Sequence, residues 1–93
     1  MNSMFWYCSS LNEINLSKFI TDKVISIKGI FENCSKLKKI DLSKFNTNNV
    51  TDMSNAFLGC ISLIVLDLAN FNTSKVTNMM SMFKYCNSLI EKF

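Results

Sequence analysis

The most reactive side chains in the sequence belong to four cysteines, Cys8, Cys34, Cys60 and Cys86, and each interval between neighbours is 26 residues. Zinc sites pair cysteines two to four residues apart, so this spacing does not describe a ligand set. Stacked one per interval, such cysteines fall within disulfide range. Their side-chain vectors run parallel, however, so reduced thiols filling small apolar core positions are expected. Asp41 and Asp67 also stand one interval apart, the kind of carboxylate pair that acid–base chemistry or calcium uses. Asn15 holds the matching position one interval earlier, which favours a solvated ladder. Histidine is absent, and with it Ser-His and Cys-His nucleophile pairs and the commonest general base. No glycine-rich phosphate loop takes their place. The expectation is a chain that is not an enzyme, with no cofactor and no metal site.

The 26-residue interval extends well beyond cysteine. Phe5, Phe31, Phe57 and Phe83 each precede a cysteine by three residues, and Leu11, Leu37, Leu63 and Leu89 each follow one by three. Leu16, Leu42 and Leu68, then Phe19, Phe45 and Phe71, then Thr21, Thr47 and Thr73, then Val24, Val50 and Val76 hold further columns. Repeats of this length stack, because one unit cannot bury its apolar face alone. The units read as about 1–26, 27–52 and 53–78 with a partial 79–93, all in one domain over 1–93. Neither end carries a polar cap, so a slice of a longer array is expected.

Two elements are expected per unit. Leu66-Asp67-Leu68, Ile40-Asp41-Leu42 and Ile14-Asn15-Leu16 alternate with period two, the mark of a short strand with one buried face. Stacked in parallel, these strands would turn Glu13, Asn15, Ser17, Lys39, Asp41, Ser43, Val65, Asp67 and Ala69 outward. Thr51-Asp52 forms a good N-cap ahead of Met53, Ala56, Phe57 and Cys60 at i, i+3, i+4 and i+7, which predicts a two-turn amphipathic helix. Thr77-Asn78 before Met79, Met82, Phe83 and Cys86 predicts another. The phenylalanines are expected to form a spine with an Asn/Thr ladder beside it.

Composition bounds the rest. Of 93 residues 48% are apolar and 18% charged, with no proline and two glycines, so the chain packs and is not low-complexity disorder. Ten basic residues against seven acidic ones leave a net charge of +3 without a charge block, which gives nucleic-acid binding no support. The greasiest segment, 61–71, is interrupted by Ser62, Asp67 and Asn70 and falls short of the roughly 20 apolar residues a bilayer span needs. No membrane insertion by this segment is expected, and the first residues do not read as a secretory signal. Asn-x-Ser/Thr sequons occur at Asn15, Asn33, Asn49 and Asn72, and are expected to stay unmodified in a chain this rich in those residues. Trp6, Tyr7 and Tyr85 read as end-covering aromatics before glycan contacts.

The stretches Lys39-Ile40-Asp41-Leu42-Ser43-Lys44-Phe45-Asn46-Thr47 and Leu66-Asp67-Leu68-Ala69-Asn70-Phe71-Asn72-Thr73-Ser74-Lys75-Val76-Thr77-Asn78-Met79 resemble the units of BspA-like leucine-rich repeat surface proteins. The resemblance runs along the whole chain. It implies an α/β fold, a leucine-rich-repeat solenoid with one short parallel β-strand and one short helix per repeat, on a cell-surface or secreted protein of adhesive role. The implied function is a non-catalytic binding or adhesion module that contacts a protein or glycan through the exposed strand face. Glu13, Asn15, Lys39, Asp41, Val65 and Asp67 are the candidate binding residues. A structural spacer, self-association through uncapped ends, and a small intracellular scaffold are the alternatives.

Overall fold

The computed structural model describes residues 12–16, 19–89 and 91–92. Its regular elements are four short strands, β1 (Glu13–Asn15), β2 (Lys39–Asp41), β3 (Val65–Leu66) and β4 (Glu91–Lys92). β1 pairs with β2 in parallel, with Glu13 opposite Lys39, Ile14 opposite Ile40 and Asn15 opposite Asp41. β3 pairs with β4 in the same sense, Val65 opposite Glu91 and Leu66 opposite Lys92. These are two separate two-stranded sheets. Isolated parallel bridges join Ser26 to Asp52 and Asp52 to Asn78.

No helix occurs among the described residues, which overturns the expected leucine-rich-repeat solenoid with a helix in every unit. The segment expected to be helical, 51–60, is a chain of tight turns instead. The Ala56 N–H donates to the Met53 carbonyl (3.2 Å), Cys60 to Phe57 (3.2 Å) and Leu63 to Cys60 (3.2 Å). Between these bonds the backbone turns left-handed, at Asn55 (φ 58°) and Gly59 (φ 76°). A positive φ at the third residue of a four-residue turn suits glycine or asparagine and stops a right-handed helix from propagating. The alternate N–H groups leave the segment altogether: Met53, Asn55, Phe57 and Gly59 donate to the carbonyls of Asn78, Met80, Met82 and Lys84 at 2.8 to 3.0 Å. Residues 27–33 do the same one interval earlier, with Ile27, Gly29, Phe31 and Asn33 donating to Asp52, Ser54, Ala56 and Leu58. Backbone groups that a helix would satisfy internally are satisfied by the neighbouring segment.

The core follows from these turns. Residues at turn ends point inward, and Ile27, Ile30, Phe31, Cys34, Leu37, Phe45, Val50, Met53, Ala56, Phe57, Cys60 and Leu63 are buried. Phe31 stacks on Phe57 with ring centroids 5.5 Å apart, and Phe57 on Phe83 at 5.7 Å. Offset aromatic pairs at such distances add about 0.5–1.5 kcal/mol each beyond area burial. A second aromatic column pairs Phe45 with Phe71 at 6.3 Å.

Polar side chains close the remaining turns. Asp41, Asn46, Asp52, Asp67, Asn72 and Asn78 each accept, through a side-chain oxygen, the N–H two residues ahead, at 2.8 to 3.0 Å. Short Asx side chains favour this local bond, which explains why they recur where the chain must bend without glycine.

Candidate functional site

All six candidate residues, Glu13, Asn15, Lys39, Asp41, Val65 and Asp67, line a single open cleft of about 390 Å³ together with Ile14 and Ile40. The strand pleat brings them there. Along β1 and β2 the burial alternates exposed, buried, exposed, so Ile14 and Ile40 enter the core while their neighbours face solvent. Register then sets Glu13 beside Lys39 and Asn15 beside Asp41. Ser17, the remaining outward position of the first unit, lies outside the described residues, as do Trp6, Tyr7 and Cys8.

The carboxylates of this face are engaged locally. Asp41 Oδ1 accepts the Ser43 hydroxyl at 2.7 Å and the Ser43 N–H at 3.0 Å. Those two bonds, the hydroxyl foremost, hold its carboxyl below the usual carboxylate range. Asp67 Oδ1 accepts the Ala69 N–H at 2.9 Å. A second opening of about 370 Å³ continues past Asp41 and Asp67 to Ser43, Ala69 and Asn70. Asp41, held ionised by its bonds to Ser43, is a poor general acid.

The described thiols belong to the core cluster or pack against it. Cys34 and Cys60 are buried and Cys86 is half-buried, and none of the three is in a disulfide. Cys60 Sγ donates to the Phe31 carbonyl at 3.1 Å, and Cys86 Sγ to the Phe57 carbonyl at 3.0 Å. Burial pushes the Cys60 thiol far above the range in which a thiolate forms, and the flanking Cys34 and Cys86 push in the same direction. Among the described residues no group of three His, Cys, Asp or Glu side chains is arranged to hold a metal ion.

Sequence spacing did not reveal two structural columns. Gly29, Asn55 and Ser81 form one left-handed position and Asn33, Gly59 and Tyr85 the other. The available signal was the Gly/Asn content of those columns in the second and third units. The sequon side chains are also in use: Asn49 Nδ2 donates to the Asp22 carbonyl (2.9 Å) and Asn72 Nδ2 to Asn48 Oδ1 (3.3 Å).

Among the described residues, a helix-free stack of tight turns, with Cys34 and Cys60 buried and Asp41, Asp52 and Asp67 capping their own turns, is the class these features define. The chain belongs to the family described as Mycoplasma protein of unknown function, DUF285, which it matches over residues 1–93. No curated protein and no solved structure matches it. Family and fold together replace the BspA-like leucine-rich repeat assignment. The binding module built on it falls too, along with its ligand on the strand face and its association through solenoid ends. That module needed a helix-backed solenoid presenting a continuous sheet. The described strands are two or three residues long, and β2 and β3 belong to different sheets.

Proposed function

We propose that this domain is non-catalytic and that its reactive groups serve its own fold. The observation that carries the reading is Cys60. It is fully buried, it donates its proton to the Phe31 carbonyl, and burial keeps it in the thiol form. A catalytic cysteine needs a depressed pKa and access to substrate, and Cys60 has the opposite of both. Asp41 and Asp52 follow the same rule, each held ionised by a serine two residues ahead.

Export to the cell surface or the medium belongs to the same proposal. Cys34 and Cys60, closed to solvent, tolerate an oxidising exterior, because neither an oxidant nor a foreign thiol reaches them in the closed fold.

The test is a turnover screen of the purified chain against chromogenic ester, phosphate, glycoside and peptide substrates, alongside Cys60→Ser and Asp41→Asn. No turnover above buffer is expected. Turnover that either substitution abolishes while the circular dichroism spectrum is unchanged overturns the reading. For export, a membrane-impermeant biotin reagent applied to intact producing cells is expected to label the protein. Labelling only after lysis overturns that part alone.

A further inference from the structure

Each stacked segment passes twice through left-handed backbone, and the residues standing there are not equivalent. In the first two segments they are Gly29, Asn33, Asn55 and Gly59, at φ 62°, 61°, 58° and 76°. Glycine takes this conformation without a Cβ clash, and asparagine tolerates it better than most residues do. In the third segment the same two positions hold Ser81 (φ 57°) and Tyr85 (φ 66°). Tyrosine and serine are uncommon there, and each stores steric strain.

That strained segment covers one specific part of the core. Its carbonyls at Met80, Met82 and Lys84 accept the N–H groups of Asn55, Phe57 and Gly59, and Phe83 lies nearly parallel on Phe57, at an interplanar angle of 3°. Beneath it sits Cys60, with no exposed surface. Met79, Met80 and Tyr85 of this segment are 48%, 69% and 60% exposed.

We infer that residues 79–86 are a strained lid over Cys60, opening by local unfolding ahead of the rest of the fold and turning a sealed thiol into a reactive one. Local opening draws on segments of low local stability, and the strain at Ser81 and Tyr85 lowers it here, against the buried Met82 and the Phe83–Phe57 stack. The lid is a property of the backbone and stands whether or not the domain catalyses anything. Cys34 is the internal reference, since it lies under the second segment, whose left-handed positions are Asn55 and Gly59.

The experiment is a timed N-ethylmaleimide pulse on the folded 93-residue chain under native conditions. Quenching, digestion and mass spectrometry then read Cys34 and Cys60 separately. Ser81→Gly and Tyr85→Gly relieve the strain where it sits, and both favour folding. Each is expected to slow Cys60 labelling on the order of threefold and to leave the Cys34 rate unchanged. Parallel slowing of both thiols means that Cys60 is reached only through global unfolding, and overturns the lid. An unchanged Cys60 rate in both variants overturns it as well, as does a Cys60 that stays unlabelled throughout the pulse.

Discussion

The side-chain oxygen of Asn33 occupies the space in which a Cβ at Gly59 would stand. The two residues share one column of the stack, so the amide of one segment nests over the bare backbone of the next. Gly59 also sits at φ 76°, where any side chain is strained. Gly59→Ala therefore meets two penalties, a left-handed alanine and a collision with Asn33, and should cost about 2–3 kcal/mol in urea unfolding. Asn33→Gly in the same chain should recover the collision part and leave the backbone part. A double-mutant cycle with no coupling between the two sites would show that the nesting is energetically idle.

Thr47 is a buried hydroxyl with a job across the stack: its Oγ1 accepts the Asn72 N–H at 2.8 Å. Thr21 does the same for Asn46 at 2.7 Å. Thr47→Val keeps the shape and removes the acceptor of the part-buried Asn72 N–H, at a cost of about 1 kcal/mol. Thr47→Ser retains the acceptor and should cost distinctly less. Equal denaturation midpoints for the valine and serine variants would refute this account of the column.

Period and burial were legible in the sequence, and local backbone was not. Ile27, Ile30, Phe31 and Cys34 fall at i, i+3, i+4 and i+7, and are all buried. That spacing describes one face of a helix and, equally, the ends of successive turns closed by i to i+3 hydrogen bonds. Side-chain pattern cannot separate the two; the third residue of each turn can. Gly29, Asn33, Asn55 and Gly59 were that signal, and Ser81 and Tyr85 in the same columns obscured it. The outward set Glu13, Asn15, Lys39, Asp41, Val65 and Asp67 was readable from the period of two and does gather on one cleft. Its role was not readable, because exposure marks where a side chain points and nothing about what it meets.

Phe57 and Phe83 occupy the same column with different surroundings. Phe57 is fully buried between two rings, whereas Phe83 is half-buried with one ring partner described. Phe57→Ala should cost about 3–5 kcal/mol, a large share of the stability of a domain of this size. Phe83→Ala should cost clearly less and leave a measurable folding transition. The comparison reads directly from guanidinium unfolding curves, and a larger loss at Phe83 would place the centre of the core elsewhere.

Acid should weaken this fold through two carboxylates in particular. Asp52 Oδ1 accepts the Ser54 hydroxyl at 2.7 Å and its N–H at 2.9 Å, and these bonds lower its pKa, as the Ser43 bonds do for Asp41. A carboxyl with a depressed folded-state pKa favours folding once it is ionised. The contribution is fully present above the unfolded value of 3.8 and is lost as the pH falls below it toward the folded value. Both groups are largely solvated, so each effect is small and screened. Stability should be flat from pH 7 to about pH 5 and fall between about pH 4 and pH 2. Asp52→Ala should be less stable at neutral pH and show a shallower acid decline, since the group that titrates is gone. Urea midpoints for wild type and variant at pH 7 and pH 3 decide the matter, because a decline of equal size in both would remove Asp52 from the acid response.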